Sequence, residues 1–264
     1  NSWRQVDNIS ISGRGVWAGG TTPTYQTLMD FVTISSLGNA QLFGDLIEDP
    51  RGFSRAVASN VRGVNGGGED HTGGRFNQLE YFTIQSGGTA IDFGDLSAQR
   101  GMTGSASSST RGIFAGGEES PGNVNTIEFI EISTIGNAVD FGDISSAKKD
   151  SHNGLVNSPT RGVFAGGTPE PNNIIGTVTT MDYITIASEG NATDFGDARS
   201  SRYVINGGVS NSTRGVWSGG ATALDLIEYI TLTTLGNSLD FGNLHLGRRA
   251  ASGCSDSHGG LGGF

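Results

Sequence analysis

Along this chain apolar and polar residues alternate with a period of two through short runs, and the same runs return about every fifty residues. The most regular is an Arg-Gly heptapeptide: RGVWAGG from Arg14, RGVNGGG from Arg62, RGIFAGG from Arg111, RGVFAGG from Arg161 and RGVWSGG from Arg214. Successive starts lie 48, 49, 50 and 53 residues apart, the signature of a tandem array of supersecondary units. Alternation predicts a strand, and the Gly-Gly pair that closes it predicts a sharp turn.

Each repeat holds three further segments. The second reads LMDFVTI from Leu28, LEYFTI from Leu79, IEFIEI from Ile127, MDYITI from Met181 and IEYITL from Ile227. Its β-branched and aromatic content makes it the strongest strand in the repeat. A turn follows, with Gly-Asn in four of five copies (SLGNA, SGGTA, TIGNA, SEGNA, TLGNS), and both residue types tolerate positive φ. The third segment is LFGD at Leu42, DFGD at Asp92, Asp140 and Asp194, and DFGN at Asp240, with one phenylalanine in every copy. The fourth starts at a basic residue, Arg51, Arg100, Lys148, Arg202 or Arg248, and runs through small polar residues to the next Arg-Gly. It is the weakest strand in the pattern.

Glycine, 44 of 264 residues, weakens helix interiors and serves tight turns, which points to an all-β chain. Four antiparallel strands per repeat of roughly fifty residues match a propeller blade. The expectation is a five-bladed β-propeller of four-stranded antiparallel blades, one domain over residues 1–264, with repeats starting near 14, 62, 111, 161 and 214. Residues 1–13 offer an extra strand, and so does the segment after Arg248. RRAASGCSDS fits the fourth-segment pattern better than VDNISIS, so the carboxyl-terminal segment is expected to pair beside the Arg14 strand and close the propeller. Phe43, Phe93, Phe141, Phe195 and Phe241, with Phe31, Tyr81, Phe129, Tyr183 and Tyr229, are expected to fill the wedges between sheets.

The order of features, a Gly-Gly doublet (Gly166 and Gly167), an aromatic in the next strand (Tyr183), a large aromatic in the third (Phe195) and a basic residue (Arg202), resembles the kelch repeat. The chain differs in carrying Phe where kelch repeats carry Trp, and in its Arg-Gly opening. The wording RGVFAGG, MDYITI, GNATDFGD and a tail GCSDSHGGLGG is similar to a repeat protein of marine cyanobacterial bacteriophages, usually described as structural or tail-fibre-like. That resemblance implies a virion-associated or extracellular, host-contacting part.

Charge narrows the partners. Asp and Glu outnumber Lys and Arg by 26 to 16, and a net charge of -10 repels a phosphate backbone, so no nucleic acid is expected. Nothing resembles a membrane span, and the chain is expected to be soluble with no membrane insertion. The single cysteine, Cys254, excludes an internal disulfide framework and reads as a small core residue. His71, His152, His245 and His258 show no metal-ligand spacing, and there is no Gly-x-Ser-x-Gly elbow or phosphate loop. Acids recur in every repeat: Asp30, Glu80, Glu128, Asp182 and Glu228 in the second segment, and Asp45, Asp95, Asp143 and Asp197 beside the phenylalanine. Residues needed five times over read as blade-to-blade salt bridges or turn caps rather than as catalysts. No enzyme activity, cofactor or metal is expected. The sequons at Asn8, Asn191 and Asn211 add little, two of them lying in repeated turns.

Variation is concentrated between the first and second strands, where the inserts TTPTYQT, EDHTGGRFNQ, EESPGNVNT, TPEPNNIIGTVTT and ATALDL share little. In a propeller these connections and the third-to-fourth ones emerge on one face. Tyr25, Arg51, His71, Arg75, Phe76, Arg100, Asn123, Lys148, Asn172, Asn173, Arg202, Asp225 and Arg248 are therefore the candidate recognition face. The expected function is non-enzymatic: a viral structural or adhesin-like propeller that binds a virion protein or a host surface glycan through that face. The alternative is a repetitive lectin with one sugar site per blade.

Overall fold

The structure is a computed structural model that describes residues 13–20, 24–47, 50–149, 155–169, 178–201, 208–220 and 223–248. The described residues form an all-β, five-bladed propeller of antiparallel sheets. The first blade contains β1 (Arg14–Ala18), β2 (Leu28–Thr33) and β3 (Gln41–Asp45). The second contains β4 (Arg55–Ala58), β5 (Arg62–Gly66), β6 (Gln78–Thr83) and β7 (Ile91–Asp95). The third contains β8 (Gly104–Ser107), β9 (Arg111–Ala115), β10 (Thr126–Glu131) and β11 (Val139–Asp143). After β12 (Lys148–Lys149), the fourth blade contains β13 (Val156–Asn157), β14 (Arg161–Ala165), β16 (Thr180–Thr185) and β17 (Thr193–Asp197). Between β14 and β16, β15 (Thr168–Pro169) pairs with β12. The fifth contains β18 (Val209–Ser210), β19 (Arg214–Ser218), β20 (Leu226–Thr231) and β21 (Leu239–Asn243).

The fourth segment of each repeat does not end its own blade. Val57 faces Val64 and Ala106 faces Ile113, so β4 and β8 pair with the Arg-Gly strand that follows them and open the next sheet. β4, β8, β13 and β18 are the innermost strands and touch one another in succession. Their small side chains suit the crowded axis, where neighbouring sheets converge. The expected closing strand, from residues 1–13 or from the segment after Arg248, lies almost wholly outside the described residues, as do Cys254, His152 and His258.

One irregularity recurs in every blade. Between its last two strands the register slips at Met29/Asp30, Leu79/Glu80, Ile127/Glu128, Met181/Asp182 and Ile227/Glu228. The extra residue is the phenylalanine of the FGD motif. A bulge re-aims a side chain, and here it turns Phe43, Phe93, Phe141 and Phe195 into the space between blades, where all four are buried. Each meets the second-segment aromatic of its own blade edge-on, with ring centroids 5.9–6.1 Å apart.

Four apolar clusters fill the four junctions between successive blades. Phe43 and Leu46 meet Phe82 and Ala90; Phe93 and Leu96 meet Phe114 and Ile130; Phe141 and Ile144 meet Phe164 and Ile184; Phe195 meets Trp217 and Ile230. Backbone groups align the same way at each. The Gly88, Gly136, Gly190 and Gly236 N–H groups donate to the carbonyls of Phe43, Phe93, Phe141 and Phe195, at 2.7–2.8 Å. Two residues on, Ala90, Ala138, Ala192 and Ser238 donate to the carbonyls of Asp45, Asp95, Asp143 and Asp197.

The Arg-Gly opening serves the same junctions. Arg14, Arg62, Arg111 and Arg161 lie over the rings of Phe31, Tyr81, Phe129 and Tyr183. Each then donates across to a carbonyl of the next blade, Ile84, Ile132, Ile186 and Leu232 respectively. The motif is a strap from sheet to sheet, which is why it is repeated. Its glycine is required by packing: a Cβ at Gly63 would sit 2.5 Å from the Phe82 ring.

The FGD glycine is equally constrained. Gly142 has φ 140°, and a Cβ there would stand 2.5 Å from the carbonyl carbon of Gly190 on the next blade. Gly142→Ala is expected to cost about 1–3 kcal/mol through strain and a forced backbone shift, read as a lowered denaturation midpoint. A midpoint equal to wild type would show that this junction yields freely.

Among the described residues the outer faces of the first and fifth blades lack these contacts. Phe241 is 53 % exposed where its four counterparts are buried, and Trp17 is 60 % exposed where Phe114, Phe164 and Trp217 are buried. The expectation that all five phenylalanines fill wedges thus holds for four. Phe241 meets Tyr229 edge-on at 6.0 Å and is otherwise about half in water.

Candidate binding face

At one end of the blades the variable connections meet the third-to-fourth connections. The Gly20 N–H donates to the Arg51 carbonyl, Gly68 to Arg100, Gly117 to Lys148 and Gly220 to Arg248. Bridges Gly52–Glu69 and Gly101–Glu118 tie the same segments together. The Gly-Gly pair therefore anchors each basic residue's backbone at the base of a variable loop. The variable connections and the third-to-fourth connections thus share one end of the blades.

The side chains of Arg51, Arg100 and Lys148 are not on that surface, a correction to the candidate set. All three are buried. Arg51 pairs with Glu80, Arg100 with Glu128 at 2.9 Å and Lys148 with Asp182 at 2.9 Å, and the three acids are buried too. The acids also hold the preceding blade: Glu80 accepts from the Ile47 N–H and Glu128 from the Ser97 N–H. These are the blade-to-blade salt bridges that fivefold repetition of charge suggested. Burying a lone charge costs far more than burying a bonded pair, so each base turns inward to its acid. In the fifth blade Glu228 accepts from the Ser238 hydroxyl, which in turn accepts from the Arg199 N–H. Asp30, at the same repeat position in the first blade, is exposed.

The other candidates divide between frame and surface. Phe76 lies over the Arg51 guanidinium, 4.7 Å away, and shields the buried pair. Asn123 is buried and donates to the Thr168 carbonyl, joining the third blade's loop to the fourth. Arg75 reaches Glu118 at 2.8 Å, and Lys149 reaches the other oxygen of the same carboxylate at 2.7 Å. His71, Asp225 and Arg248 are exposed. Asn172, Asn173 and Arg202 lie outside the described residues.

Tyr25 meets Phe53 edge-on, ring centroids 6.5 Å apart. Burial raises its hydroxyl pKa, and the neighbouring carboxylates of Glu69 and Asp70 raise it further. Burial also pushes the Glu69 carboxyl up, partly offset by Arg75. Asp70 goes the other way. Its carboxylate accepts from the Thr72 hydroxyl and the N–H groups of Thr72 and Gly74, and these bonds hold it below the ordinary range. The turn so formed fixes residues 70–74 and presents His71 at its tip.

Sequence reading passed over Phe53, Glu69, Glu118 and Lys149. A signal for the glutamates was present, since the second and third repeats alone open their inserts with Glu after Gly-Gly. Phe53 had none: it is held at φ 54°, nearly half exposed, at a position that is Met102 in the next blade with φ 56°. Among the described residues no group of three or more His, Cys, Asp or Glu is placed to hold a metal ion. No helix among them is long and apolar enough to cross a membrane.

The opposite end carries shallow grooves at matching repeat positions. One lies under the turn after β2, lined by Phe31, Thr33, Leu37 and Asn39, and equivalents occur in the third and fifth blades. The chain matches no protein-family model and no curated protein.

Proposed function

We propose that this protein is a non-enzymatic recognition module of a virion or other extracellular structure, binding a protein or surface glycan through the variable loops on one face. The observation that carries this reading is the contrast between frame and surface. The repeated charges are sequestered in the blade junctions, while the loops above them carry Tyr25, Phe53, His71, Arg75 and Asp225, a different set on each blade. A rigid scaffold under loops of individual chemistry is the usual way to build a binding surface. The kelch-like order of features and the phage-like wording of the repeats support the placement in a particle.

A second reading is favoured by the matching grooves at the other end: a lectin with equivalent sites on several blades. One experiment separates them. The insert 69–78 is exchanged with 118–126, and both proteins are screened on a glycan array and against virion proteins. Binding that changes with the exchanged insert is the expected result. Binding indifferent to the exchange but lost on Leu37→Asp and Leu235→Asp supports the lectin. No binding in either screen overturns both.

A further inference from the structure

We propose that Tyr25 and Phe53, where the loops of the first two blades meet, form a subsite for an amino sugar with a free, protonated amine, carried on a surface glycan. The subsite deepens the recognition-face reading and rests on it.

Three connections converge here. The β1–β2 insert brings Tyr25, the β3–β4 connection brings Phe53, and the β5–β6 insert brings Glu69 and Asp70. Gly52 ties them together: its N–H donates to the Glu69 carbonyl at 3.0 Å, and its own carbonyl accepts from the Glu69 N–H at 2.9 Å. Because Gly52 has no side chain, the Tyr25 ring lies against its backbone, where an added Cβ would collide with the ring. Phe53 follows and stands edge-on to Tyr25, the two planes 77° apart.

Phe53 is the residue that folding does not explain. It is held at φ 54°, which costs free energy in a residue with a Cβ, and 47 % of its surface is exposed. Glycine takes the same backbone without strain. The repeat imposes the conformation, since Met102 has φ 56° at the matching place in the next blade, but it does not impose a ring. A ring kept in water on a strained backbone is there for contact.

What the spot offers defines what it takes. The rings present π faces, whose negative potential attracts a cation, and the carboxylates accept hydrogen bonds. The Tyr25 hydroxyl is committed to Glu69, while Arg75 and Lys149 are both committed to Glu118, at 2.8 and 2.7 Å. Around the rings the carboxylates of Glu69, Asp70 and Glu118 outnumber those two cations. The complement brings positive charge, several donors and an apolar face. A protonated amino sugar has all three: its ammonium, its hydroxyls, and a C–H face to lie on Phe53. N-acetylation removes the charge, and a lysine side chain brings no hydroxyls.

Calorimetric titration of the chain with a glucosamine trimer and with its N-acetylated counterpart tests this. The free-amine trimer is expected to bind roughly tenfold more tightly, the worth of one desolvated cation–π contact. Phe53→Gly is expected to abolish that preference while its thermal midpoint stays at or above the wild type's, because the strain is relieved. Phe53→Tyr is expected to keep the preference. Equal affinity for the two trimers, no binding of the free-amine trimer, or a Phe53→Gly protein that still discriminates overturns the proposal. So does a Phe53→Gly midpoint well below the wild type's, which makes the ring part of the frame. A lysine trimer that binds more tightly, and only when Phe53 is present, overturns it in favour of a protein partner. Array or virion-protein binding that follows the exchanged inserts and is unchanged by Phe53→Gly keeps the recognition face and overturns this subsite alone.

Discussion

Asp182→Ala is expected to lower the free energy of unfolding by about 3–5 kcal/mol, because Lys148 is left fully buried without the carboxylate it faces. Asp182 sits inside the fourth sheet, Lys148 on the connection that leads into it, and neither side chain is exposed to solvent. Denaturant titration measures the loss. The companion variant is the pair Lys148→Met with Asp182→Leu, which removes both charges at similar volume and is expected to restore most of the stability, since an apolar pair of the same shape carries no desolvation cost. A single substitution costing under about 1 kcal/mol would mean that water solvates the lysine after all, and would remove these ion pairs from the account of how the blades are joined.

Phe141→Ala is expected to cost about 3–5 kcal/mol, the lost burial of a large ring plus the cavity left between the third and fourth blades. Its counterpart Phe241→Ala, in the same motif of the fifth repeat, is expected to cost less than about 1 kcal/mol in the monomer, because the ring is already half in water. Thermal melts of the two variants at low protein concentration make the comparison. Equal losses would show that the fifth ring is covered in solution and that the difference between the two blades is not real.

The two variants mark where sequence reading succeeds and where it stops. The second segments, rich in Ile, Tyr and Phe, fall where the pattern puts them, because a β-branched run bounded by turn residues has few other conformations open to it. The fourth segments were weak in the sequence for a physical reason. Their small polar residues show no alternation, since both faces are crowded near the axis, and in β13 and β18 the ladder shrinks to two residues. Their partner is the Arg-Gly strand of the following repeat. Phe241 sits in nearly the same motif as Phe141, DFGN against DFGD, yet one ring is half exposed and the other buried.

The candidate face divides in the same way. Position in the repeat correctly places Arg51, Arg100 and Lys148 at the foot of the loops, but it does not tell whether a long side chain turns outward or under its neighbour. The clue was the matching recurrence of Glu80, Glu128 and Asp182, acids spaced to neutralise them. Phe53 was invisible because a positive φ in a residue that is not glycine has no reliable signature in sequence.

The polarity of the junctions has a consequence for synthesis. At every one the carbonyls beside the FGD phenylalanine belong to the sheet nearer the amino end and the turn N–H groups that donate to them to the sheet that follows, while the arginine strap runs in the opposite sense, donating from the earlier sheet to a carbonyl of the later. A chain leaving the ribosome finishes the acceptor edge of each blade before the donors that complete it have been translated. Each emerging blade is thus expected to meet a finished edge of the one before it.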